Sequence, residues 1–305
     1  MARAVRFTEY GGRDVLHVEP IDIPTPGAGE IVVEVRAAGT NPGEAAIRQG
    51  FFDGDNPQLP SGQGSDFAGV VQSTGDGVTN VATGDEVLGW SWTRSSQASH
   101  VLVPANQVIE KPASLPWEVA GSLYVVGVTA YAAVRAVAPS EGETVAVSAA
   151  AGGVGSVVVQ LLRHRGSNVL GIASASNAEW LTAHGVTPIA YGDGLEDRLR
   201  AAAPDGVDAF IDLFGPDYLD LAVALGVPVD RIETIISFAR AQELGTKAEG
   251  SGDATTPEIL AEVAALVADG TIEIPIAATY PLDEVQDAFS QLEDRHTHGK
   301  IVLIP

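Results

Sequence analysis

The chain has 305 residues, 45% of them hydrophobic and 19% charged, a globular composition long enough for two cores. Its 40 acids against 17 lysines and arginines give a net charge of −23. Such a surface repels nucleic acid and anionic lipid, so neither is expected as a partner, and any phosphate must be held by local geometry, chiefly backbone N–H groups.

There is no cysteine, which excludes disulfides, thiolate nucleophiles and cysteine-ligated zinc. No segment reads as a signal peptide and no apolar run approaches a membrane span, so a cytoplasmic location is expected.

The first third reads as β-rich. Residues 30–36 (EIVVEVR), 67–72 and 101–104 are short and β-branched, separated by Gly, Pro, Asn and Asp clusters at 24–29, 54–56 and 75–77. Short strands at this spacing predict a small barrel or sandwich-like domain. The character changes at Ser114-Leu-Pro-Trp, where Ser114 or a neighbour can cap a helix and Pro116 suits its first turn. Residues 117–137 then predict a long buried helix with a break at Gly127, and this marks the domain boundary.

From residue 144 strand and helix alternate. Strands are predicted at 144–148, 168–173, 187–190, 206–212 and 231–236, with helices at 154–165, 178–184 and from 213 to about 225. This is the pattern of a doubly wound parallel sheet. The tail predicts a helix after Pro257, a β-like stretch 272–277, a helix 282–292 and a terminal strand 300–304 that returns to the first domain.

Between the first of these strands and its helix lies SAAAGGVGS (148–156). Gly152 and Gly155 stand three apart, at the second and third positions of a dinucleotide fingerprint, with Ala150 at the first. The second position allows close approach of a pyrophosphate to a helix N-terminus; the third allows helix and strand to pack tightly. A ligand-free turn can carry the same glycines, but the strand before, the helix after and a second strand ending about 20 residues on favour a nucleotide. That second strand ends in ASASN (173–177), uncharged where an acid would select NAD. Ser174 and Asn177 therefore permit NADP without demanding it.

Taken together, VRAAGTNPGEAAIRQG, SGQGSDFAGVV, VVGVTAY, AAAGGVGSVVVQL and HTHGKIVLIP resemble the medium-chain dehydrogenases/reductases, within them the zinc-independent quinone oxidoreductase group. The resemblance implies a GroES-like catalytic domain over residues 1–115, completed by about 275–305, around a Rossmann NADP-binding domain over 116–274. It places Asn41 and Thr129 near the nicotinamide, with Ala151, Gly152, Gly153 and Val154 on the pyrophosphate. Tyr191 falls near the adenosine ribose, and Leu213 and Phe214 border the nicotinamide ribose. Taken without the family, Asn41 reads equally well as a turn residue before Pro42.

Where zinc relatives carry a ligand cysteine and histidine this chain has Thr40 and Ser65, and it keeps only the acid, Asp66; no metal is expected. Without a Lewis acid the implied chemistry is NADPH-dependent hydride delivery to a quinone or other conjugated carbonyl, where charge spreads into an enolate or hydroquinone.

Tyr124, ahead of the VTAY segment, is a candidate to narrow the pocket or supply a proton, with core packing as the alternative. Trp90, Trp92, Phe51 and Phe52 are candidates to line an aromatic-tolerant acceptor site, or else belong to core or surface. An enoyl or alkenal reductase with a dedicated metabolic substrate, and a non-catalytic NADPH-binding redox sensor, are the competing readings. Relatives pair as dimers, so the resemblance also implies a homodimer.

Overall fold

The computed structural model describes residues 2–51 and 58–305. They form two compact units: Met1–Val125, Thr256–Ala268 and Pro275–Pro305 make the first, and Val126–Thr255 with Asp269–Ile274 the second. The helix Pro257–Ala268, which the alternating pattern groups with the second domain, lies in the first unit, where the Ala268 carbonyl accepts from Ser114 Oγ at 3.2 Å.

The first unit is organised by the strand Glu30–Gly39 (EIVVEVRAAG), whose apolar residues are buried on both faces. It pairs antiparallel with Asp66–Thr74 and with His100–Pro104, and at its end with the C-terminal strand, through Val302 opposite Gly39 and Leu303 opposite Ala38. The C-terminal strand Lys300–Ile304 in turn pairs parallel with Ile276–Pro281. Ile31, Val33, Val35, Phe67, Val71, Val87, Val101 and Val103 fill one core. A second core, around Phe7, Leu16, Phe289, Ile301 and Leu303, packs the helix Val285–Glu293 against the sheet. A separate three-stranded sheet has Ala2–Phe7 at its centre.

The second unit holds five parallel strands in the order Thr187–Ala190, Asn168–Ala173, Thr144–Val147, Ala209–Asp212, Ile232–Thr234. The chain therefore runs outward from Thr144–Val147 in one direction and returns to extend the sheet in the other. That reversal makes the crevice at the C-terminal end of Thr144–Val147 the topological switch point where such sheets bind ligands.

Local differences from the sequence reading have physical causes. The break expected at Gly127 falls at Gly121, between the helices Trp117–Ala120 and Leu123–Val137. A Cβ on Gly121 would lie 2.4 Å from the Ala37 carbonyl oxygen, so the chain turns there because two backbones touch. The strand expected at 272–277 runs instead over Ile276–Pro281, because parallel pairing with the C-terminal strand sets its start.

Candidate functional site

In the second unit the glycine loop joins Thr144–Val147 to the helix Gly153–His164. The left-handed residue is Ala149, at φ 47°, one position before Ala150; Ala150 is fully buried and donates its N–H to Ile172 O at 3.0 Å. Gly155 sits where a Cβ would lie 2.1 Å from Ala149 O, so helix and loop meet there without room for a side chain. Gly152 caps the helix in an extended conformation, and a Cβ on it would meet only Ala149 O, at 3.3 Å. The first-turn N–H groups, from Gly153 onward, precede any carbonyl four residues back within the helix. No acid lies in that first turn, although the chain has 40. Ala151 is buried, while Gly152, Gly153 and Val154 are partly open.

Two neighbouring strand ends meet the same edge. Ser174 caps a short turn in which its Oγ lies 3.0 Å from Ser176 Oγ; Asn177 follows, half-buried, its N–H donating to Ser174 O. Beside it, Tyr191 follows the adjacent strand, half exposed, with its N–H directed to Ala173 O at 3.4 Å. Arg198, which sequence spacing did not single out, is brought to this corner: its guanidinium donates to the carbonyls of Ala190, Gly192 and Asp193. The acid nearest in sequence, Glu179, is exposed in the first turn of the following helix.

On the other side of the switch point, Asp212 ends its strand fully buried. Its Oδ1 accepts from Ser148 Oγ (2.9 Å), Phe214 N (2.9 Å) and Gly215 N (3.1 Å), and its Oδ2 from Thr234 Oγ1 (2.8 Å) and Ser237 Oγ (3.2 Å). Leu213 N donates to Ser148 Oγ at 2.8 Å. One carboxylate thus ties together the ends of three strands and fixes the backbone of Leu213 and Phe214. Phe214 is exposed and packs edge-on against Tyr218, at 5.8 Å between ring centroids. Burial and Asp212 push the Tyr218 phenol above its ordinary range. Thr129 is buried in the helix Leu123–Val137.

The first unit contains a buried polar cluster. Asn41, before the helix Pro42–Arg48, gives its amide hydrogens to Glu44 Oε1 (3.2 Å) and Asp66 Oδ2 (3.1 Å), and its Oδ1 accepts from Lys300 Nζ at 2.6 Å. Glu44 reaches back to Asn41 N and also accepts from Ser65 N and Gln97 Nε2. Burial and the neighbouring Asp66 carboxylate raise its carboxyl to about 7, against the pull of those donors and of Lys300. The sequence reading placed Asn41 in the site; the structure brings Glu44, Gln97 and Lys300 to it, and both amide hydrogens of Asn41 are spent on carboxylates. The signal for Lys300 was legible: one of only three lysines, it opens an apolar strand (KIVLI) that has no other reason to carry a charge.

Tyr124 is buried, its ring stacked on Trp90 at 5.1 Å and met edge-on by Trp92 at 6.4 Å. Trp92 is 54% exposed and Phe51 73%, while Trp90 belongs to the core; Phe52 lies outside the described residues.

A parallel sheet with an open glycine-lined helix start at its switch point, and a GroES-like sheet unit closed by the C-terminal strand, define a two-domain nucleotide-dependent dehydrogenase fold. The sequence matches two family models, the alcohol dehydrogenase GroES-like domain over residues 27–113 and the zinc-binding dehydrogenase over residues 184–303. It is 30% identical over 341 residues to the synaptic vesicle membrane protein VAT-1 homolog of Mus musculus, spanning 99% of this chain and 84% of that protein. The structure is similar to that of the quinone oxidoreductase from Coxiella burnetii, with a TM-score of 0.91 at 29% identity, covering 100% of this chain and 99% of the other. It is also similar to Escherichia coli quinone oxidoreductase complexed with NADPH, with a TM-score of 0.87 at 27% identity and 100% of both chains covered. The chain belongs to the medium-chain dehydrogenase/reductase superfamily, in its quinone oxidoreductase group, and is an oxidoreductase of that superfamily.

The zinc in one family description does not fit the residues present. Thr40 Oγ1 donates to Ile301 O at 3.1 Å, Ser65 offers no nitrogen or thiolate side chain, and neither is a zinc ligand type. Among the described residues no helix is long and apolar enough to cross a membrane.

Proposed function

We propose that the protein reduces a quinone or another conjugated carbonyl with NADPH, without zinc. The observation that carries this reading is the acid-free start of the helix Gly153–His164, at the switch point of a chain that is otherwise strongly acidic. A pyrophosphate bound there meets backbone N–H groups and the positive end of the helix dipole, a favourable field that needs no charged side chain. Gly152, Gly153 and Val154 hold the pyrophosphate, with Ala151 behind them. Ser174 and Asn177 meet the adenosine ribose with uncharged donors, which tolerates a 2′-phosphate, and Arg198 adds positive charge to that corner. When bound, NADPH supplies a hydride from its nicotinamide. Asp212 keeps Leu213 and Phe214 in place beside it, and Thr129 and Asn41 are assigned to its nicotinamide side.

With both amide hydrogens of Asn41 given to carboxylates, its part is positioning rather than proton donation. Tyr124 narrows the acceptor side as the inner member of an aromatic stack. The acceptor's developing oxyanion is then protonated from water. We further propose that the protein works in the cytoplasm as a homodimer, which light scattering of the purified chain tests directly.

The deciding experiment follows NADPH and NADH oxidation with p-benzoquinone, phenanthrenequinone and simple enones, with and without a chelator. Turnover with NADPH that survives chelation supports the reading. Loss of turnover on chelation refutes the zinc-free part; binding of NADPH, read from tryptophan fluorescence, without turnover of any acceptor refutes the enzyme.

A further inference from the structure

The cluster around Asn41 has the donor geometry of a cation site, and its cation is part of the chain. Lys300 Nζ lies 2.6 Å from Asn41 Oδ1, 2.8 Å from the Thr40 carbonyl oxygen and 3.3 Å from Asp66 Oδ2. An ammonium has three hydrogens to donate, and three oxygens converge on it. The shell is closed: Lys300 is 3% exposed, Asp66 and Gln97 0%, Glu44 3% and Asn41 4%. The second oxygen of Asp66 accepts from Val125 N at 2.9 Å, and Glu44 takes its donors from Asn41, Ser65 and Gln97.

We infer that Lys300 is the resident cation of this cluster, a positioning residue whose ammonium holds Asn41 and the chain at Thr40 in place. A carboxylate out of contact with water requires a counter-charge, because an unpaired buried carboxylate is strongly disfavoured, and Lys300 supplies it to Asp66. In this chain the counter-charge is delivered by the C-terminal strand. Lys300 N is fixed to Pro275 O at 2.8 Å, and one residue on, Ile301 O accepts both the backbone N–H and the hydroxyl of Thr40. The same strand thus clamps residue 40 by its backbone and residue 41 by its charge. Gly39 gives the cluster its space: a Cβ there would lie 2.7 Å from Asp66 Oδ2 and 2.9 Å from the Ser122 backbone. The inference does not depend on which acceptor the enzyme reduces.

A double-mutant cycle of Lys300→Met, Asp66→Asn and the pair tests the charge pairing through melting temperature. Each single change leaves one buried charge uncompensated and is expected to lower the melting temperature by roughly 10 °C. The pair is expected to recover at least half of the summed loss, and recovery of folding by the pair where a single variant does not fold has the same meaning. A pair that loses the full sum, or a Lys300→Met chain that melts like the wild type, overturns the inference. A measurement on the unaltered protein is independent of any variant. With lysine labelled in its side-chain nitrogen, only three signals arise, and replacing Lys111 and Lys247 by Arg identifies the third. A protonated ammonium at neutral pH, slow to exchange with water, is expected for Lys300. A neutral or freely exchanging amine there overturns the inference. NADPH affinity and turnover are read separately, so failure of the reductase assay and failure of this test are distinguishable.

Discussion

The two central glycines of the loop can be separated by their geometry. Gly155→Ala puts a methyl 2.1 Å from Ala149 O and 2.9 Å from the carbonyl carbons of Ala149 and Ala150, where ordinary contact begins at 3.4 Å. The chain must therefore open by about 1.3 Å between loop and helix. The atoms in the way are backbone, held by Gly152 N to Ala149 O (2.9 Å) and Ala150 N to Ile172 O (3.0 Å), so they cannot swing aside as a side chain would. Overpacking of this kind costs about 1–3 kcal/mol, and breaking one of those hydrogen bonds adds about 1 kcal/mol. Gly152→Ala differs. Its backbone is extended, at φ −74°, and the added methyl meets one atom at 3.3 Å, so stability should change by less than about 0.5 kcal/mol. Its methyl would nevertheless stand where the pyrophosphate must approach. Urea unfolding and NADPH titration by tryptophan fluorescence check both. Gly155→Ala should lose stability and affinity together, and Gly152→Ala should lose tenfold or more in affinity at nearly unchanged stability, an effect of about 1.4 kcal/mol on binding. If Gly152→Ala binds NADPH as the wild type does, the loop is a packing turn and not a phosphate cradle.

Four further outcomes are expected. Asp212→Ala strands three buried hydroxyls and two N–H groups and should cost at least about 3 kcal/mol in urea unfolding; a loss below about 1 kcal/mol contradicts the network. Glu233 is fully buried and raised to about 8 by burial, and Glu44 to about 7, so the folded chain holds protons that the unfolded chain, with ordinary carboxyls, releases. Stability is then greatest at acid pH near the ordinary carboxyl range and declines as pH rises through about 7 to about 8; Glu233→Gln should flatten the upper part of that decline, and parallel melting curves for both chains refute it. Tyr124→Phe keeps the stack on Trp90 and should hold turnover within about twofold, while Tyr124→Leu forfeits about 0.5–1.5 kcal/mol of ring contact; a large kcat loss in the phenylalanine variant restores a proton role. Because the net charge of −23 opposes an anionic cofactor and the cradle is backbone, moderate salt should tighten NADPH binding, whereas weakening with salt points to side-chain cations as the anchor.

Much of the second unit is legible from the chain because its rules are local. A strand ends, three small residues turn the backbone, and a glycine three residues on lets the helix lie against the turn; each step is written in consecutive letters. The left-handed turn falls on Ala149 while Ala150, at the first fingerprint position, does not take it, and nothing in an Ala-Ala-Ala run says which φ becomes positive. The helix Pro42–Arg48 escaped notice because it is short and opens on Asn-Pro, which reads as a turn until Glu44 is seen reaching back to Asn41 N.

Lys300 stands out in the sequence, but the joining of the first unit's cluster does not, for a different reason. Asn41, Asp66 and Lys300 are separated by 25 and 234 residues, and no periodicity joins them. What joins them is register: a one-residue slip of the C-terminal strand against Gly39 would turn Lys300 to the opposite face and bury an isoleucine among carboxylates. The acids and the lysine therefore specify the pairing as much as the pairing creates the cluster. A chain with almost no lysines has placed one of three in a buried polar site, and the cost of burying that charge is tolerable only because the Asp66 carboxylate is beside it.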